Sequence, residues 1–174
     1  LKYIRDRGGE EQLKITLGLL SQDDRSILEG WILNSRWYPL ELYQRLDDAI
    51  ARVFSPDDKT RVFIEMGSNS ADMNLTGPHK HFVREGDPHF LLSQSSVIYS
   101  AYYAVGHSIY QKTGPNSCIL RFYEAEVVTP TDCLTCLGWH RRAIELCGGK
   151  DVEVKETACR IQGGDHCEFH CSWR

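Results

Sequence analysis

The sequence predicts an α+β protein, with N-terminal helices packed on a small antiparallel sheet that ends β-β-α-β-β. Three observations predict it. Apolar residues recur at helical spacing through roughly the first hundred positions. From Gly106 onward the pattern shortens to alternation, punctuated by Gly- and Pro-containing turns. The chain has 174 residues and 41% hydrophobic content, enough for one domain with a proper core and too little for two.

The elements follow in order. Glu10 to Leu20 carries Leu13, Ile15, Leu17, Leu19 and Leu20, and Ser21-Gln22-Asp23-Asp24 then breaks the pattern and caps a second helix. Ile27, Leu28, Trp31 and Ile32 keep helical spacing in that second helix. Pro39 and Glu41 open a third, with Leu40, Leu42, Tyr43, Leu46, Ile50, Val53 and Phe54 along it. Ser55-Pro56-Asp57-Asp58 ends it and caps a fourth from Lys59 to Leu75. A short helix is expected over Phe82 to Gly86 and a long one from His89 to Val105. Ser108 to Lys112 and Cys118 to Ala125 read as a hairpin around Thr113-Gly114-Pro115-Asn116. Val127 to Asp132 reads as a linker, Leu134 to Leu146 as a helix stopped at Gly148-Gly149. Val152 to Cys159 and Cys167 to Trp173 form the closing hairpin around Gly163-Gly164. Leu1, followed at once by Lys2-Tyr3-Ile4, reads as the interior of a longer protein.

A formal net charge of -4 gives no global pull toward nucleic acid or an anionic membrane. No apolar run is long enough for a membrane-spanning helix. All seven cysteines lie between Cys118 and Cys171, an odd number confined to the last third. A secreted disulfide framework would pair them and spread them along the chain, so reduced thiols and a cytoplasmic location are expected.

Cys133, Glu156-x-x-Cys159 and Cys167 form a spaced pattern in which thiolates and a carboxylate point to a tetrahedral zinc. The closing hairpin sets Cys159 nearly opposite Cys167, and Cys133, just before the preceding helix, can fold over them. Glu156 and Cys159 differ in strand parity, so a bulge near Thr157-Ala158 is required to aim both at one point. Cys171 shares the parity of Cys167 and stands in reserve should Glu156 point away. Cys118, Cys136, Cys147 and Cys171 otherwise read as core or surface thiols, although Cys133-x-x-Cys136 at a helix start leaves thiol redox sensing open.

Trp37, Tyr99, Tyr103, His107, Phe122 and Trp139 are candidates to line an apolar cavity between helices and sheet. His79-x-His81 falls in a turn-rich break, where a solvated loop is the better reading. Only His107 and His140 could serve as the axial ligand of a heme. Hydrolase, phosphate-loop and dinucleotide fingerprints are absent, so no enzyme activity is expected.

Gly138-x10-Gly149-x6-Glu156-x-x-Cys159-x7-Cys167, with Gly163-Gly164-Asp165-His166-Cys167-Glu168-Phe169, resembles the 4-vinyl reductase-like domain, as in aromatic-sensing transcription activators. Cys133, five residues before Gly138, matches a cysteine of those members. The whole chain, from Tyr3-Ile4-Arg5-Asp6-Arg7-Gly8-Gly9-Glu10 through Trp37-Tyr38-Pro39-Leu40-Glu41-Leu42-Tyr43, also resembles an uncharacterised paralogous family of myxobacteria. The resemblance implies one domain over 1–174, helical to 105, with a fold shared by heme-nitric-oxide sensors and vesicle-tethering subunits. It further implies a structural zinc held by Cys133, Glu156, Cys159 and Cys167, a small apolar or aromatic ligand, and a regulatory role. Homodimerisation or a protein partner belongs to the same expectation, with a non-enzymatic interaction scaffold as the alternative. The heme-sensor motif Tyr-x-Ser-x-Arg is missing, and Trp139-His140-Arg141-Arg142 replaces the small residues common in relatives.

Overall fold

A computed structural model describes residues 1–33, 35–125 and 129–174; Val127 and Val128 of the expected linker lie outside them. The described residues form helices and a four-stranded antiparallel sheet, the α+β class expected. They divide into two compact units, Leu1–Phe63 and Ile64–Arg174.

The first unit holds α1 (Lys2–Gly18), α2 (Gln22–Glu29), α3 (Leu40–Phe54) and the opening turn of α4 (Lys59–Leu75). α1 begins well before Glu10, because Gly9, at φ 70°, kinks the helix and does not end it. Ile4, Leu13 and Leu17 of α1 are buried, as are Leu42, Leu46 and Ile50 of α3, and the two helices pack together. The Ser21 hydroxyl accepts from the Asp24 N–H and caps α2. Asp24 is buried and takes a two-pronged bond from Arg45, at 2.7 and 2.8 Å. Trp31 and Ile32 do not continue α2, which stops at Glu29; Trp31 is 93% exposed. Periodicity there predicted a helix that has no buried face to support it.

The second unit holds the rest of α4, α5 (Pro88–Ser93), α6 (Ser95–Tyr102), β1 (His107–Gly114), β2 (Ser117–Tyr123), α7 (Pro130–Leu146), β3 (Glu153–Ala158) and β4 (His166–Ser172). The long helix expected over His89 to Val105 is two helices meeting at Gln94, and Phe82 to Gly86 contributes only the end of a 3-10 turn at Lys80–Phe82. The strand order is β1-β2-β4-β3, antiparallel throughout. Helices cover one face: α7 lies on β3 and β4, α5 and α6 on β1. Strand alternation sends Ser108, Tyr110, Cys118, Leu120, Phe122, Cys167, Phe169 and Cys171 to that inner face.

α4 and α7 cross at backbone contact. A methyl on Gly67 would lie 2.0 Å from the Thr135 carbonyl oxygen, and one on Gly138 2.1 Å from that of Ile64. Only glycine permits this approach. Ser68 Oγ closes the crossing by donating to the Ile64 and Gly138 carbonyls, at 3.0 and 3.2 Å. The crossing fixes α7 and everything α7 carries.

Candidate metal centre

Cys133 sits in the first turn of α7. The Asp132 carboxylate holds that turn by accepting from the Thr129 N–H and hydroxyl, at 2.6 and 2.7 Å. The register of β3 on β4 shifts between Glu156 and Ala158, leaving Thr157 as the extra residue of a bulge. Because of it, Glu156 and Cys159 face the same side, the side of Cys167. The hydroxyl of Thr157 points the other way and donates to Glu168 at 2.8 Å.

Cys133 Sγ is 3.8 Å from Cys159 Sγ and 4.0 Å from Cys167 Sγ. One ligand atom each from Cys133, Glu156, Cys159 and Cys167 lies within 4.8 Å of the others. Tetrahedral coordination with metal–sulfur bonds of about 2.3 Å separates sulfurs by about 3.8 Å. The Cys133 and Cys159 thiols also hydrogen-bond the Glu156 carboxylate, which helps to raise both. Glu156 Oε1 is buried without a hydrogen-bond partner, a cost that a cation beside it removes. The Arg160 N–H donates to Cys167 Sγ at 3.5 Å. The Cys133 thiol, together with that N–H, lowers the Cys167 thiol below its ordinary value. Cys133 is driven up by its bond to Cys167 and by burial. The cluster thus favours the thiolate at Cys167 over that at Cys133, and the thiolate is the form that binds metals. Four protein ligands leave no position for a substrate, so such a centre holds structure and does no chemistry. Cys136 stands one turn along α7, its thiol raised to about 12 by burial. Cys171 pairs with Cys118 across β2 and β4.

The expected cavity residues divide. Tyr99 stacks on Tyr103 at 4.7 Å and meets Phe122 at 5.8 Å, so these three are together. Trp139 joins at the edge of His140, 5.6 Å from it. His107 faces the opposite side of the sheet, stacked on Tyr123 at 5.4 Å. Trp37 belongs to the first unit and is 59% exposed, which is not the position of a cavity wall. Sequence reasoning missed Ser95 and Ser108, and treated His140 only as a heme ligand. A lone His in the apolar stripe of α7 was the available signal.

No protein-family model and no curated protein sequence matches the chain. Its fold is that of solved H-NOX structures. An H-NOX protein from S. oneidensis in the Fe(II)NO ligation state is 16% identical, with a TM-score of 0.71 over 99% of this chain and 94% of that one. The Fe(II) unliganded A71G mutant from K. algicida is 10% identical, with a TM-score of 0.69 over 99% and 91%. A structure described as probing heme distortion in the H-NOX family is 11% identical, with a TM-score of 0.71 over 99% and 90%.

These likenesses correct the expected cofactor. The proteins sharing the fold are described with Fe(II) and heme, and none of these with a structural zinc. Heme in turn does not fit the described residues. Both ring nitrogens of His89 are engaged, by the Tyr110 hydroxyl and the Pro115 carbonyl, each at 2.6 Å. His79 and His81 pack on Phe82, and His166 and His170 lie against carboxylates on the outer face of the sheet. His140 is buried, but Phe169, Phe122 and Trp139 enclose its ring at 5.4 to 5.6 Å, too close for a porphyrin.

Proposed function

We propose that residues 1–174 form a small-molecule-sensing regulatory domain of the 4-vinyl reductase-like kind, binding an apolar or aromatic ligand. In this reading Cys133, Glu156, Cys159 and Cys167 hold a thiolate-seeking metal ion. The set brings the start of α7 to the β3–β4 hairpin. The observation that carries the reading is the convergence of these four ligand atoms within 4.8 Å, with Glu156 Oε1 otherwise unpartnered. α7 transmits the tie: Cys133, Gly138, His140, Ala143 and Ile144 are its buried residues. A ligand packed on them acts on a helix already pinned at one end. The domain turns over no substrate; its output is a second copy or a partner protein.

Native mass spectrometry, followed by a thermal-shift panel of apolar and aromatic compounds, tests this. One metal ion per chain and at least one compound that raises the melting temperature are expected. A folded chain with neither sinks the reading. A non-enzymatic interaction scaffold is the second reading, favoured by the exposed Trp31, Ile32, Leu33 and Trp37 of the first unit. Ligand-independent capture of one partner that is lost on changing Trp31 and Trp37 to Ala would select it.

A further inference from the structure

Three of the seven cysteines belong to the metal centre, and Cys136 and Cys147 lie on α7 and at its end. The remaining two, Cys118 and Cys171, face each other. They are direct cross-strand partners on β2 and β4, the central strands of the sheet. Strand alternation puts both side chains on the inner face, where the residues are 1% and 2% exposed. Neither is bonded to another sulfur. A hydrogen bond with Cys118, and burial with it, push the Cys171 thiol up, so the two do not ionise together.

Antiparallel partners stand with their Cα atoms about 4.5–5.5 Å apart and their Cβ atoms at about the same spacing. A disulfide takes Cα separations of roughly 4.4–6.8 Å and Cβ separations of roughly 3.5–4.5 Å. The register of β2 on β4 therefore supplies the first and leaves the second about 1 Å to close. Cys136 and Cys147, by contrast, are three turns apart along α7, about 16 Å, and cannot meet.

The pair also lies near an opening. Ser117 opposite Ser172 is the last step of β2 on β4, immediately beyond the cysteines, and past it the Trp173 N–H donates to the Asn116 carbonyl at 3.1 Å. Releasing these two steps bares both thiols, which is local fraying and not global unfolding. On the outer face a pocket of about 270 Å³ reaches both cysteines between Ser117, Lys155, His170 and Ser172.

We propose that Cys118 and Cys171 are a reversible disulfide site, closed by peroxide and opened by a dithiol reductant. One thiol loses its proton and its sulfur attacks peroxide; the O–O bond breaks, leaving a sulfenic acid and one water. The partner sulfur then attacks the sulfenic sulfur, the S–O bond breaks, and a second water departs. The two sulfurs together give up two electrons, and both thiol protons end in water. The bridge closes a loop that contains α7, β3 and all of Cys133, Glu156, Cys159 and Cys167, which restricts that whole stretch in the unfolded chain. The site needs neither a bound metal nor a small ligand.

The test is graded hydrogen peroxide on the whole chain, alkylation of the remaining thiols, and peptide mapping by mass spectrometry. A Cys118–Cys171 bridge that dithiothreitol reopens is expected, with a melting temperature about 10 °C above that of the reduced chain. Cys118→Ala and Cys171→Ala are each expected to lose the bridge and the peroxide-dependent shift, and should one variant fail to fold the other still reads both. Peroxide that bridges only Cys133, Cys159 and Cys167 while Cys118 and Cys171 are both alkylated overturns the proposal. So does a bridge that dithiothreitol does not reopen, or a rise in melting temperature that survives in the alanine variants.

Discussion

The two faces of the sheet treat their polar groups in opposite ways. On the outer face the described polar side chains are bonded to one another. Glu168 accepts from Arg121 at 2.6 Å and from Thr157 at 2.8 Å, and meets His170 at 3.0 Å, while Arg121 also donates to Gln111 at 2.7 Å. Tyr123 lies between His107 and His166 at 5.4 and 4.8 Å. On the inner face Ser108, His140 and Glu156 each keep a buried atom unpaired. Burying an unpaired polar atom costs stability, whereas pairing it on an open face costs little. The outer face serves the inner one, because Glu168 holds the bulged Thr157 that aims Glu156 and Cys159.

The largest effect should come from breaking the thiol set. Cys159→Ser is expected to reduce metal content from one ion per chain to a small fraction. It should weaken metal affinity by more than the roughly 100-fold typical of losing a supporting contact, and lower the melting temperature with it. Elemental analysis beside a thermal melt checks this, and a variant with unchanged metal would leave the inner face with no centre to serve.

Acid should separate the two faces by window. His140 has a folded pKa near 4, below its unfolded value of 6.5, so the unfolded chain takes up the proton first. Its stabilisation is complete above pH 6.5 and is lost as pH falls toward 4, by about 3 kcal/mol in all. Glu168 is held down to about 2 by Thr157 and Arg121, so its share is present above pH 4.5 and is lost progressively as pH falls from there through 2. Denaturant melts between pH 7 and 4.5 should show the first loss in wild type and not in His140→Phe. A loss that persists in that variant would assign it elsewhere.

The smallest effect should follow Thr157→Val, which keeps the shape and removes the hydroxyl. About 1 kcal/mol of stability is expected to go, with a modest fall in metal affinity. An unchanged affinity would show that the bulge holds without the outer face.

Much of this arrangement was legible in the chain. α4 was read to its end residues, and the hairpins were fixed by their turn chemistry and alternation. The need for a bulge followed from parity alone, since Glu156 and Cys159 cannot otherwise share a face. The helix ends were harder. Gly8-Gly9 suggests a stop, yet α1 bends there and continues, and α5 and α6 separate at Gln94 without any glycine or proline to announce it. Trp31 and Ile32 have helical spacing but no partner surface. The unpaired atoms of Ser95, Ser108 and His140 were beyond reach for a different reason: whether a polar group is satisfied depends on what packs around it, and no local pattern encodes that.

The bulge at Thr157 has one more consequence. The donor set is written in the chain as a matter of phase, and a single register step decides it. Were Thr157 drawn into a regular ladder, Cys133, Glu156, Cys159 and Cys167 would all still be present, but Glu156 would turn to the side of Glu168. A centre built in this way is gained or lost by a one-residue shift in register, and a comparison that counts only matching cysteines would not notice the change.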